Sequence, residues 1–214
     1  MLKRMTLLAK KDNLSLDAFR NHWAGDHAQL ALSLPGVCKY TQNRAIEVLM
    51  TYPQNRGFTA DGIVELFFTD EDAMMSAQAS EIGAIKIPED ELQFLRGWSL
   101  NIVETSDPHD HFGSKVMVPI TLRDRDAAEA ARAALASAAS EASATQISIN
   151  TVTSSHSRPR LWSEPVAPHN ILVLWFNSAE QARAAFETNS DLYHVITEVS
   201  RQASAYLCDP LVVR

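Results

Sequence analysis

The 214-residue chain reads as an α+β protein made of two tandem βαββαβ units whose sheets pair inside one molecule. Three observations predict this. The order strand, helix, strand, strand, helix, strand runs over residues 2–104 and recurs over residues 115–213, a period of about 110 residues. A polar stretch with proline and glycine, TSDPHDHFGS at 105–114, lies between the two runs. Each run is a split βαβ or ferredoxin-like unit, whose sheet carries helices on one face and leaves the other to be covered. Pairing the two bare faces closes a barrel within the chain. Two units lying side by side, each covered by another chain, would also give barrels. The expected division is residues 1–105 for the first unit, 106–114 for a linker and 115–214 for the second.

In the first unit, residues 2–9 form a strand and 10–14 a polar turn into the stretch LSLDAFRNHWAGDHAQLALSLPGVCKY. Ser15 is placed to cap a helix, with Asp17 in its first turn. Leu34-Pro35-Gly36 ends it, because the residue before a proline leaves the α region and glycine permits the turn. At about 100° per residue, Leu16, Phe19, Trp23, Leu30 and Leu34 fall in one sector, a stripe for burial. His27 sits about 40° past Trp23, at the edge of the stripe. His22 lies well off it, toward solvent. Strands are expected at 37–48, 62–68 and 98–104, with loop chemistry at 49–59. Helices begin at Asp70-Glu71 and at Pro88-Glu89-Asp90, the latter stopped by Gly97.

The second unit opens with a strand at 115–122 and an alanine-rich helix at 124–141. Strands follow at 145–154 and 170–176, helices near 179–187 and 192–202, and a last strand at 205–213. Its first helix carries no aromatic residue and no histidine, so the Trp23/His27 pattern has no twin. One functional pocket per chain is therefore expected, with the second unit mainly scaffold. A separate pocket around Trp162, His169 and Trp175 is the competing possibility, against the commoner role of such residues as core aromatics.

Formal charge is −7, and no basic cluster recurs after Lys3-Arg4 and Lys10-Lys11. Nucleic acid and anionic membranes are poor partners for such a surface. The two cysteines, Cys38 and Cys208, form no CxxC or zinc spacing, which suits a reduced compartment. No signal peptide or membrane span is legible, so the cytoplasm is the expected location. The sequence has no GxSxG, no GxGxxG and no phosphate loop, and nothing in it calls for a cofactor. His22 and His27, five apart, stand about 140° around an α-helix and so would not share a metal. His109 and His111 would hold a metal only weakly.

A core-edge histidine is more often a hydrogen-bonded packing residue than a catalyst. A lone imidazole beside an indole also suits proton transfer next to a carbonyl. Tyr40 is the natural donor to a developing oxyanion, and its competing role is a ring packed in the core. Glu65, among apolar neighbours, is either an acid of raised pKa or an ion-pair partner of Arg4 or Arg44. Strand parity sets Val64, Leu66 and Phe68 on one face and Asp61, Ile63, Glu65 and Phe67 on the other. Parity alone leaves open which set meets His27.

Phe19-x-x-His22-Trp23-x-x-x-His27-Ala28, then Leu34-Pro35-Gly36, Tyr40-x-Gln42-Asn43 and Asp61-Gly62-x-x-Glu65-Leu66-x-Phe68, resembles the EthD family of the dimeric α/β-barrel superfamily. The resemblance covers residues 1–105. It implies a cofactor-independent lyase, isomerase or cyclase acting on a hydrophobic, aromatic or carbonyl-bearing small molecule. His27 would be the acid/base and Tyr40 the oxyanion donor, with Phe19, Trp23, Asp61, Glu65 and Phe67 around the substrate. Two other classes stand beside it: a non-catalytic accessory or binding protein of an oxidative degradation pathway, and a haem-binding barrel. A homodimer of the tandem chain is compatible with each.

Overall fold

The computed structural model describes residues 1–107, 109 and 111–214. Eight strands close into one antiparallel barrel. In chain order they are β1 (Leu2–Lys10), β2 (Val37–Tyr52), β3 (Gly62–Phe68), β4 (Leu95–Thr105), β5 (Ser114–Leu122), β6 (Gln146–His156), β7 (Asn170–Phe176) and β8 (Ser200–Val212). Around the barrel they run β1-β3-β2-β8-β5-β7-β6-β4. Each βαββαβ unit thus supplies half the staves, and the barrel is made inside one chain. One seam joins β2 to β8, from Thr41↔Val212 to Tyr52↔Ala203. The other joins β4 to β6, from Leu100↔His156 to Thr105↔Asn150. Closure leaves the sheet without a free edge.

Strand alternation sorts side chains into a lumen and two outer faces. Met5, Leu7, Ile63, Val103, Met117, Ile171, Val173 and Tyr206 fill the lumen. Helices cover the outer faces. On the first unit lie α1 (Leu16–His22), α2 (Ala28–Leu32), α3 (Glu71–Ala79) and α4 (Ile87–Phe94). On the second lie α5 (Ala128–Glu141), α6 (Ala179–Ala185) and α7 (Asp191–Val199). Ser15 caps α1, its hydroxyl accepting from the Ala18 amide, and Asp70 caps α3 through the Ala73 amide.

The opening helix departs from its expected form. Between α1 and α2, residues Trp23–His27 form a π-helical turn, and Ile82–Lys86 form another before α4. A π-turn inserts one residue into the helical repeat and rotates everything beyond it. Phe19, Trp23 and Leu34 are buried as their spacing predicts, but Leu16 is exposed, Leu30 is half-buried, and Ala28 and Ala31 are buried instead.

Candidate active site

The π-turn overturns one expectation outright. Residues five apart stand on opposed sectors of an α-helix, but a π-turn brings i and i+5 over one another. His22 and His27 therefore meet on a single carboxylate of α4. His22 Nε2 is 2.8 Å from Asp90 Oδ1, and His27 Nδ1 is 2.8 Å from Asp90 Oδ2. His22 is consequently part of the layer rather than a solvent-facing neighbour, and both rings pack against Phe94, at centroid distances of 4.7 and 5.1 Å. His27 and Asp90 are buried. Burial pushes the Asp90 carboxyl up, but the hydrogen bonds from His27 and His22 outweigh it and hold it below the ordinary carboxylate range. Asp90 is thus an anion that fixes which His27 nitrogen carries the proton. Nε2 of His27 makes no hydrogen bond among the described residues.

Parity resolves which strand faces meet this helix. Tyr40 and Gln42 of β2 point toward it, together with Val64, Leu66 and Phe68 of β3. Gln42 Nε2 donates to the Trp23 carbonyl at 2.7 Å and to the Tyr40 hydroxyl at 2.8 Å, locking the π-turn to the sheet. Trp23 lies flat over Gly62: a Cβ there would be 2.4 Å from the indole Cζ3, so only glycine allows the approach. Phe19 completes an aromatic stack with Trp23, at 5.4 Å, and with Phe94, at 5.8 Å. Burial drives the Tyr40 hydroxyl well above its ordinary pKa, so it stays protonated.

The other three residues expected around a substrate are elsewhere. Glu65 and Phe67 face the lumen, through the sheet from His27. Glu65 pairs with Lys3 at 2.8 Å and with Lys115, and accepts from Asn43 at 3.0 Å. Its partners are lysines, not Arg4 or Arg44. Burial raises its carboxyl, but the two ammonium groups win and hold it far below the ordinary range. Phe67 lies under Lys3 and Lys39, each ammonium 5.3 Å from the ring centre. The space left at that end of the lumen is about 20 Å³, room for about one water and not for an organic molecule. Asp61 is a structural cap, its carboxylate accepting from the Lys10 amide at 2.8 Å. Trp162, His169 and Trp175 do not converge: Trp162 bridges to Gly97, His169 accepts from the Leu122 amide, and Trp175 lies under Lys115. His109 and His111 both close on Asp107, at 2.7 Å each.

A cleft of about 510 Å³ opens on the same outer face, on the far side of α4 from Asp90. Pro88, Glu89 and Leu92 of α4, Trp98 and Leu100 of β4, Arg4 of β1 and the segment from His156 to Arg160 line it. The second unit thus contributes a wall. Beneath it lies a cluster of the buried Glu91 with the half-buried Arg4 and Arg158, of which the sequence singles out only Arg4. Arg158 Nε approaches Glu91 Oε2 at 2.9 Å and its guanidinium stacks on Trp98, 4.4 Å from the ring centre. Yet neither Glu91 Oε2 nor Arg158 Nη1 makes a hydrogen bond, and the buried Nε of Arg4 has no partner either. Burial lowers Arg4 to about 10, partly offset by the Glu91 charge, and raises Glu91 against the opposing charges of Arg158, His27 and Arg4. Neither His27 nor Tyr40 lines the cleft; α4 stands between, presenting Asp90 to one side and Leu92 to the other.

A barrel closed within one chain, with a polar helix layer on one half only, defines a dimeric α/β-barrel protein. Residues 11–97, within the first unit, match the family model of the EthD domain. No curated protein matches the sequence. Among solved structures, an anthrone oxidase-like protein is 8% identical, with a TM-score of 0.69 over 99% of this chain and 93% of that one. A Lactobacillus acidophilus NCFM protein named as a monooxygenase is 13% identical, TM-score 0.51, covering 99% and 94%. One named as a chlorite dismutase is 11% identical, TM-score 0.52, covering 98% and 96%. At such identities these likenesses establish the fold. No helix is long and apolar enough to cross a membrane among the described residues.

Proposed function

We propose that the chain binds a hydrophobic, aromatic or carbonyl-bearing small molecule on the helix-covered face of its EthD domain and converts it by proton transfer, as a lyase, isomerase or cyclase. The observation that carries this reading is the His27–Asp90 pair set up by the π-turn. A carboxylate on Nδ1 fixes the ring and its tautomer and leaves Nε2 to move a proton. Glu91, its carboxyl raised by burial, feels His27 on one side and Arg158 at the cleft on the other, and so connects the two regions electrostatically. Phe94 packs on the imidazole with Phe19 and Trp23 stacked beyond it, and Tyr40 holds the π-turn through Gln42 rather than reaching a ligand directly. The second unit is mainly scaffold apart from its contribution to the cleft, and the exposed Ile46 and Val48 on β2 offer an apolar strip to a homodimer.

The test is deuterium incorporation from heavy water into a panel of hydrophobic ketones and lactones. The wild-type chain should catalyse exchange next to the carbonyl, and His27→Asn should slow it by about 10²-fold or more with the fold intact. Equal rates in the two proteins remove His27 from the chemistry. A second reading, a non-catalytic binding or accessory protein, is favoured by the separation of His27 and Tyr40 from the cleft. It expects ligand bound in the cleft with no exchange at all. A haem-binding reading would need an imidazole such as His27, through Nε2, to hold the iron, and haemin added to the full chain with no Soret shift removes it.

A further inference from the structure

Arg4, Arg158 and Arg160 meet Glu89 and Glu91 around the cleft, three guanidinium groups against two carboxylates, leaving one positive charge over. Arg158 is held by stacking on Trp98 and by contact with Glu91, yet its Nη1 is unbonded. Arg4 has the ring of Phe68 under it, 5.6 Å from the guanidinium carbon, and forms no hydrogen bond or ion pair with the described residues. Buried polar groups are nearly always satisfied, and a guanidinium carries five donors. We infer that Arg4 and Arg158 are the anion-recognition pair of the cleft, and that its ligand is a hydrophobic molecule bearing one carboxylate.

The charge balance and the walls select that chemistry. One carboxylate neutralises the surplus, and its planar pair of oxygens matches the guanidinium fork. A phosphate dianion would overshoot the surplus, and the walls by Leu92, Leu100 and Trp98 offer little to its remaining oxygens. Those walls suit an aromatic or alicyclic body, and the cleft is of the size of small-molecule sites. Because Arg158 comes from the loop after β6, the second unit sets specificity for a site carried by the first. This inference rests on the second reading above, in which the ligand is bound in the cleft.

The experiment compares 2-naphthoate, 2-naphthamide and inorganic phosphate binding to the full chain, by calorimetry and by the Trp98 indole resonance. Naphthoate should bind at least about tenfold more tightly than naphthamide, the range of one charge-assisted hydrogen bond. Arg4→Gln and Arg158→Gln should each reduce naphthoate to the level of naphthamide while leaving naphthamide binding unchanged. Arg4→Gln should melt no lower than wild type, since Arg4 has no hydrogen bond or ion pair among the described residues to lose; if it does not fold, Arg158→Gln carries the comparison. Equal affinity for the two naphthalene probes, a preference that survives in both variants, or phosphate bound as tightly as naphthoate overturns the carboxylate inference while leaving the cleft as a binding site. Failure of both naphthalene probes to bind or to move Trp98 overturns the cleft reading along with it.

Discussion

The two helix layers of this barrel follow one topological plan and are finished in opposite ways. Over the second unit, α5, α6 and α7 press Leu135, Ala138, Ala139, Leu192 and Ile196 onto Val116, Val118, Ile120, Leu172, Leu174 and Phe176, a layer of apolar contact. Over the first, the helices are broken by two π-turns and bury His27, Asp90, Glu91 and Gln42 beside Phe19, Trp23 and Phe94. Apolar packing stabilises at about 25 cal/mol per Å² removed from water, whereas each buried polar group must first recover its desolvation. The difference is one of make-up on a shared plan: the second layer packs apolar side chains alone, while the first buries a network of polar groups among its aromatics.

The seam between them offers the largest effect. Glu65 of the first unit is the shared counter-charge of Lys3 on its own strand neighbour and of Lys115 of the second unit, all three buried. Glu65→Gln should strand two ammonium groups and destabilise by about 3–5 kcal/mol in urea unfolding. Its acid limb has a definite sign: a carboxyl held below its unfolded value gives stability that is complete above pH 4.5 and lost as pH falls toward the folded value. Next comes the dry layer itself. Leu135→Ala should cost about 2–5 kcal/mol and leave probe affinity in the cleft unchanged. A loss of affinity there as large as that of Arg4→Gln would dissolve the division of labour.

Much of this plan was legible in the residues. The repeat of βαββαβ, the caps at Ser15 and Asp70 and the burial of Phe19, Trp23 and Tyr40 follow from local chemistry that the structure repeats. The partner of His27 was not, for two reasons. A π-turn depends on tertiary packing, here Gln42 gripping the Trp23 carbonyl, and leaves no mark in a 3.6-residue periodicity. And Asp90 sits in an acidic run, Glu89-Asp90-Glu91, which reads as ordinary helix N-terminal charge until α4 sends each of the three a different way. Arg4 and Arg158 lay at a strand start and in a loop, positions where arginine is usually solvated. Which side Glu65 faces stayed open because alternation tells which residues share a face but not which face is inside.

Asp90 gives the finest cut between the two halves, because its role is positional as much as energetic. Asp90→Asn keeps the shape and removes the charge, so one amide must replace an acceptor that serves two imidazoles at 2.8 Å each. The expected loss is about 1–3 kcal/mol at neutral pH, the scale of hydrogen bonds to a charged group. The wild-type carboxyl lies below its ordinary 3.8, so this contribution is full above that pH and disappears as pH falls through the lower folded value. Melting curves of wild type and Asp90→Asn should therefore run parallel from pH 7 to about 4 and converge below it, while Glu65 titrates identically in both and cancels. Convergence is the mark of an ionised Asp90 between two histidines. A gap that persists unchanged to pH 2 would mean that shape rather than charge holds the π-turn, and His27 would then lack the anion that orients it.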